Sequence, residues 1–261
     1  MTNITLSTME LSIEANIAVL TLTRENALNA MSKGFFSDIN AILCKIQHKP
    51  EIKALIIIGR GNGFSVGADL KEFTSDEKID LGERLRENFE PMVLELKKMP
   101  FPTIAAVNGY AAGAGMGLML GCDFTIAAKS AQFVQAFINI ALVPDAGSSY
   151  FLPRLVGRAR ATEMMMLGEN ISADEAYKMG LIYKVVEDNN LLDEAIILAK
   201  KLREKPTETL IQIRELLDAS HDNSFIDQLN AEANAQTVAG QCDNFIEGVT
   251  AFNEKRKPLF K

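Results

Sequence analysis

Residues 102–128 read PTIAAVNGYAAGAGMGLMLGCDFTIAA. The run TIAAV is short, apolar and partly β-branched, which predicts a buried strand. Asn108-Gly109 marks a turn. GAGMGLMLG then opens a helix of small and apolar residues, and DFTIAA returns as a second strand. Strand, glycine turn, helix and strand in so short a space predict an α/β fold with its strands buried on both faces. A bilayer span is the competing reading. Residues 99–122 carry no charge and are long enough to cross. Pro100, Pro102, Asn108 and five glycines break that stretch, so the expectation is no membrane segment.

The same texture extends outward. Residues 11–24, LSIEANIAVLTLTR, alternate as two strands about a turn at Ala15–Asn16. Phe35, Ile39, Ile42, Leu43 and Ile46 fall at helical spacing, with Ser32 as N-cap. Residues 52–59 form another apolar strand, followed by a glycine-rich segment. Residues 74–88 are charge-rich and predict a solvated loop or helix start. Residues 88–99 and 161–168 are helical. SADEAYKMG (172–180) carries a capping box from Ser172 to Glu175 and a glycine stop at Gly180, and 181–187 is a strand. From about residue 190 strand signals vanish. The expected organisation is an α/β core over 1–200 and a helical C-terminal region over 201–261.

The 261 residues are 48% hydrophobic and 23% charged, with net charge −7. That excludes a generally basic surface, and no Lys/Arg stripe with interleaved aromatics suggests a nucleic-acid partner. Cys44, Cys122 and Cys242 have no metal-ligand spacing, and an odd count without a framework fits a reducing compartment. The start MTNITLSTMEL resembles neither a secretory signal nor a transit peptide. The expectation is a cytoplasmic protein.

The available chemistry is narrow. The two histidines, His48 and His221, lie in polar surroundings, so Ser-His-Asp and Cys-His sites are poorly supported. No metal cluster and no P-loop is present. GAGMG has the wrong glycine spacing for a dinucleotide turn and lacks the later acidic residue. Two glycine-rich turns remain, FSVGADL (64–70) and NGYAAGAGMG (108–117), each after a strand. A backbone N–H from each could converge on one carbonyl oxygen, an oxyanion hole made of main chain. Close helix–strand packing is the plainer explanation of the same small residues.

RENALNAM (24–31), FSVGADLKEF (64–73), the 102–128 stretch, AQF (131–133), LPRLVGRARATEMMMLGENISADEAYKMGLI (152–182) and EGVTAFNEKRKP (247–258) together resemble the crotonase, or enoyl-CoA hydratase/isomerase, superfamily. The resemblance implies a crotonase-like spiral of ββα turns and a helical C-terminal trimerisation region. It implies a homotrimer or dimer of trimers acting on an acyl-CoA thioester, with no cofactor beyond the coenzyme A of the substrate and no metal. By that resemblance the N–H groups of Ala68 and Ala114 form the oxyanion hole. Arg24, Ala27 and Leu28 in the RENALNA turn, and Ala68, Asp69, Leu70 and Lys71 after the first glycine turn, match CoA-contacting stretches. Phe252 and Lys255 match a C-terminal segment that reaches CoA, sometimes across a subunit boundary.

Two positions depart from the hydratase pattern. Where hydratases carry their pair of glutamates, this chain has Gly117 and Phe137. Hydration needs one group to activate water at C3 and another to protonate C2. Moving a double bond needs one base that takes a proton from C2 and returns it at C4, and a dry pocket suppresses hydration. Asp145, in LVPDAGSSY, matches the acidic position of the isomerases. The surrounding sequence resembles the phenylacetate-pathway ring-epoxide isomerase branch. A dehalogenase branch also has an aspartate here but uses a tryptophan, and this chain has none. Asp145 before AGSS is also a good helix cap. Asp123 is its nearest competitor, at a position the family uses structurally. An apolar setting of Phe133, Phe137, Leu142 and Val143 is expected to raise the pKa of Asp145. Enoyl-CoA hydratase and a non-catalytic acyl-CoA-binding trimer are the alternatives.

Overall fold

A computed structural model describes residues 2–73 and 80–261. Residues 74–79 of the charge-rich 74–88 segment lie outside the described residues. Two sheets organise the chain. The larger contains β1 (Thr2–Thr5), β2 (Met9–Glu14), β3 (Ile17–Leu22), β4 (Ala54–Gly59), β6 (Thr103–Val107), β8 (Phe124–Ala128) and β11 (Lys184–Val186), in the order β1-β2-β3-β4-β6-β8-β11. The first three are antiparallel and the rest run parallel from β3 onward. The smaller sheet contains β5 (Gly63–Ser65), β7 (Tyr110–Ala112), β9 (Gln132–Val134) and β10 (Asn170–Ser172), in the order β10-β9-β7-β5.

The helices are α1 (Lys33–Gln47), α2 (Leu81–Arg84), α3 (Glu90–Lys97), α4 (Ala114–Leu120), α5 (Ser148–Leu167), α6 (Ala173–Lys178), α7 (Leu191–Arg203), α8 (Thr207–Ala219), α9 (Phe225–Gly240) and α10 (Asp243–Glu254). Three times a strand of the large sheet is followed by one of the small sheet and then by helix: β4-β5-α2/α3, β6-β7-α4 and β8-β9-α5. These are the repeated ββα turns that the sequence resemblance implies. The charge-free stretch 99–122 is β6, β7 and α4, and no helix among the described residues is long and apolar enough to cross a membrane.

Alternation along the parallel strands explains their unbroken apolar runs. Leu55 and Ile57 face α1, α3 and α4, while Ala54 and Ile56 face Leu191, Ala195 and Ala199 of α7. The strands are therefore covered on both sides. Local signals hold where the sequence places them. Ala15 and Asn16 take positive φ at the β2–β3 turn. The Ser32 side chain accepts from the Phe35 amide, and Ser172 and Glu175 form a reciprocal capping box.

Beyond α7, α8 is locked to the core by Arg214. Its guanidinium donates to both carboxylate oxygens of Asp123, at 2.7 and 2.6 Å, and to the carbonyls of Met99 and Phe101, at 2.7 and 2.8 Å. Asp123 also accepts from the Thr103 amide at 2.8 Å. Every acceptor it offers is engaged, so it has no free oxygen with which to act as a base.

Candidate active site

The parallel pairing of β5 with β7 brings the two glycine-rich turns side by side. Their approach is closer than side chains permit. A Cβ on Gly67, which has φ +81°, would stand 2.9 Å from the Ala114 amide nitrogen, and one on Gly115 would stand 2.0 Å from the Ser65 carbonyl oxygen. Glycine at both positions is thus a packing requirement, and it is also what sets the turns at their spacing. Ser65 Oγ ties the first turn down, donating to the Asn29 carbonyl at 2.9 Å and accepting from the Gly67 amide at 3.3 Å.

Ala68 sits in an isolated parallel bridge with Met31. The Met31 amide donates to the Gly67 carbonyl at 2.7 Å, and the Asp69 amide donates to the Met31 carbonyl at 3.1 Å. Both flanking groups face Met31, so the amide of residue 68 faces the other way. Ala114 is the first residue of α4, where an amide has no intrahelical partner. Neither N–H donates to a protein acceptor among the described residues. Two free amides on adjacent turns fit one developing oxyanion.

Asp145 lies between a 3-10 turn, Ala136–Ile140, and α5. Ala146 (φ +48°) and Gly147 (φ +79°) follow in left-handed conformation. Ala146 seats on Gly117: a Cβ on Gly117 would stand 2.5 Å from that of Ala146. Gly117 is three residues after Ala114, on the same face of α4, so this contact holds the Asp145 segment against the helix that supplies the amide. Phe137, 6% exposed, lies over the turn, its ring 3.7 Å from where a Gly113 Cβ would be.

The Asp145 carboxylate does not cap α5. The N-cap residue is Gly147, with no side-chain cap, and the Ser148 amide donates to the Asp145 main-chain carbonyl at 2.9 Å. Oδ1 is buried without a hydrogen-bond partner, and burial pushes the carboxyl up to about 6. The expected apolar wall needs correction. Phe133 and Phe137 are buried, but Leu142 is exposed and Val143 is 79% exposed, because residues 141–143 form the outward arc of the loop.

The other anticipated residues divide. Ala27 is half-buried, while Leu28 is exposed in left-handed conformation, and the Leu28 carbonyl accepts from the Val66 amide, which joins the RENALNA turn to the first glycine turn. Leu70 and Lys71 are exposed beside it. Arg24 and Asp69 bond to each other at 2.8 Å, and Arg24 also donates to the Ala30 carbonyl. The guanidinium holds the Asp69 carboxyl below the usual carboxylate range. No sequence signal announces this pair, which is 45 residues apart. Ser148, fully buried beside Asp145 with a hydroxyl lacking any partner, was equally unmarked. Phe252, 82% exposed, and Lys255 end α10, and neither side chain bonds to the turns within the chain.

Comparison with known proteins agrees with this architecture. The family model described as enoyl-CoA hydratase/isomerase matches residues 12–261. A 1,2-epoxyphenylacetyl-CoA isomerase of Escherichia coli (strain K12) is 39% identical over 251 residues, 95% of this chain and 96% of the relative. A protein of Rhodobacter capsulatus named "probable enoyl-CoA hydratase" is 39% identical over 253 residues, 97% of each. The crystal structure of an enoyl-CoA hydratase from Bacillus anthracis superposes with TM-score 0.91 at 31% identity, covering 98% of this chain and 99% of that one. With the repeated ββα turns, the paired amides and these similarities together, the chain belongs to the enoyl-CoA hydratase/isomerase family.

Proposed function

We propose that this enzyme is an acyl-CoA isomerase that shifts a double bond by single-carboxylate proton transfer, from 3-enoyl to 2-enoyl-CoA or in a ring-derived ester. The observation that carries the reading is Asp145. It is an aspartate with a buried, unpartnered oxygen and a raised pKa, next to the Ala146 that packs on Gly117, with Gly117 and Phe137 at the two positions where hydratases carry acids. With a pKa of about 6 it is about nine-tenths ionised at pH 7 and still basic enough to accept a proton.

In the proposed reaction the thioester oxygen accepts from Ala68 N–H and Ala114 N–H. Asp145 removes the C2 proton, and the electron pair of that C–H bond passes through C1 onto the thioester oxygen, giving a dienolate conjugated with C3=C4 that is nucleophilic at C4. The same carboxyl returns the proton at C4, leaving a C2=C3 bond and regenerating the carboxylate. Phe137 over the second turn keeps water from C3. Exposed apolar residues on α8, α9 and α10, among them Leu217, Phe225, Ile226 and Phe252, support a homotrimer or dimer of trimers as part of the same proposal.

The test is Asp145→Asn. Isomerisation of a 3-enoyl-CoA is expected to fall by at least about a hundredfold, and deuterium exchange at C2 to fall with it, while binding of a saturated acyl-CoA survives. Retained turnover refutes the assignment. Hydration of 2-enoyl-CoA is the second reading, favoured by the names of several relatives. Rapid hydration of crotonyl-CoA by the wild-type protein decides for it.

A further inference from the structure

We propose that Arg24 is a positioning residue that acts through Asp69 to aim the Ala68 amide into the site. This inference rests on the oxyanion-hole reading above and extends it to a residue that touches no reacting atom. The geometry is a clamp across two turns distant in sequence. Arg24 precedes a 3-10 turn, Glu25–Ala27, and its main-chain carbonyl accepts from Ala27 and Asn29, at 3.0 and 2.9 Å. One terminal nitrogen of the guanidinium donates to the Ala30 carbonyl and the other to Asp69 Oδ2 at 2.8 Å. The remaining oxygen, Oδ1, accepts from the Lys71 amide at 3.2 Å. The Asp69 carboxylate thus holds its own turn from inside and is held from outside by Arg24.

The Asp69 amide completes the Met31 bridge that turns residue 68 outward. The Ala68 N–H itself belongs to the Gly67–Ala68 peptide, whose carbonyl accepts from the Met31 amide at 2.7 Å. Arg24 holds the other end of that Ala30–Met31 peptide through the Ala30 carbonyl, and Asp69 anchors the next peptide through its own amide, so both bonds that orient the Ala68 amide lead back to this pair. Asp69 is buried and Arg24 half-buried, so solvent screens this pair less than an exposed one. The other nearby ion pair, Arg60 with Glu10 at 2.7 Å, is well exposed and holds no part of either glycine turn, which makes it the control.

The experiment compares wild type, Arg24→Gln, Arg24→Lys, Asp69→Asn and Arg60→Gln as full-length proteins. Three readouts are taken: kcat and KM for a 3-enoyl-CoA, Kd for hexanoyl-CoA, and the infrared carbonyl stretch of bound hexanoyl-CoA labelled with 13C at C1. Loss of aim is expected to lower kcat by roughly 10–100-fold, less than deletion of a donor, with Kd within threefold. The bound carbonyl should lose most of its downward frequency shift in Arg24→Gln and Asp69→Asn, keep part in Arg24→Lys, and match wild type in Arg60→Gln. An unchanged carbonyl frequency in Arg24→Gln and Asp69→Asn overturns the inference even if kcat falls, because a merely structural role lowers activity without relaxing the bound carbonyl. Should Arg24→Gln not fold, Asp69→Asn and Arg24→Lys decide alone. If the wild-type protein binds hexanoyl-CoA without any carbonyl shift, it is the oxyanion-hole reading that fails.

Discussion

Replacing Asp145 by asparagine should make the protein more stable while removing its activity, and the gain should depend on pH in a defined way. Asparagine has the shape of the carboxyl and cannot ionise, so it imitates the protonated acid. In the native protein burial raises the carboxyl from 3.8 to about 6. The unfolded chain holds it near 3.8, so between those values the native state binds more protons than the unfolded state. Stability therefore falls as pH rises through this window and is flat above it. Holding the carboxyl at about 6 rather than 3.8 corresponds to about 3 kcal/mol, the cost of carrying this charge at pH 8. At pH 5 the same linkage gives about half of that, and well below pH 3.8 almost nothing.

The assay is urea unfolding of wild type and Asp145→Asn at matched protein concentration, which holds any contribution of self-association equal. The difference should grow from near zero at pH 3.5 to about 3 kcal/mol in favour of the variant at pH 8. A pH-independent difference, or a wild type that is the more stable at pH 8, would show that the carboxylate is neither buried nor unpaired in solution. The reasoning about its basicity would then go too. On the proposed mechanism the activity loss and the stability gain share one cause, a buried charge without a partner.

The pH profile of kcat/KM should fall below about pH 6 with the slope of one proton, because only ionised Asp145 accepts one; a flat profile down to pH 5 contradicts it. Ala114→Pro removes the amide hydrogen at the first position of α4, where proline is tolerated. It should cost roughly 10²–10³ in kcat with the fold retained by circular dichroism. Gly117→Ala forces a methyl to within 2.5 Å of the Ala146 Cβ, so the Asp145 segment must move; kcat should drop by roughly tenfold or more, and unchanged kinetics would show that the segment yields freely. Arg214→Met leaves the half-buried Asp123 with only its Thr103 bonds and should destabilise by about 3 kcal/mol in urea unfolding.

The periodic parts of the fold were legible because one face or both faces of an element must be apolar. Ile39, Ile42, Leu43 and Ile46 declare α1, and TIAAV declares β6. The strands of the small sheet escaped this reading. β5, β7 and β10 are three residues each, too short to show a period, and they appear in the sequence only as glycine-rich turns or not at all. Yet these strands place the two amides. The site divides along the same line. The two glycine-rich turns are marked by local composition, and Ala68 and Ala114 within them only by the family resemblance, whereas the Arg24–Asp69 clamp depends on a contact across 45 residues that no local pattern encodes. Asp145 sits at the boundary between the two cases. Proline before it and small residues after it have the composition of a helix cap, and the cap would have satisfied the carboxylate. What withholds it is backbone conformation: Ala146 and Gly147 both turn left-handed, Gly147 takes the N-cap position, and Ala146 docks on Gly117. A sequence shows which hydrogen bonds a carboxylate could make. The unpaired oxygen and raised pKa of this one come with the bond that two consecutive residues of positive φ keep it from making.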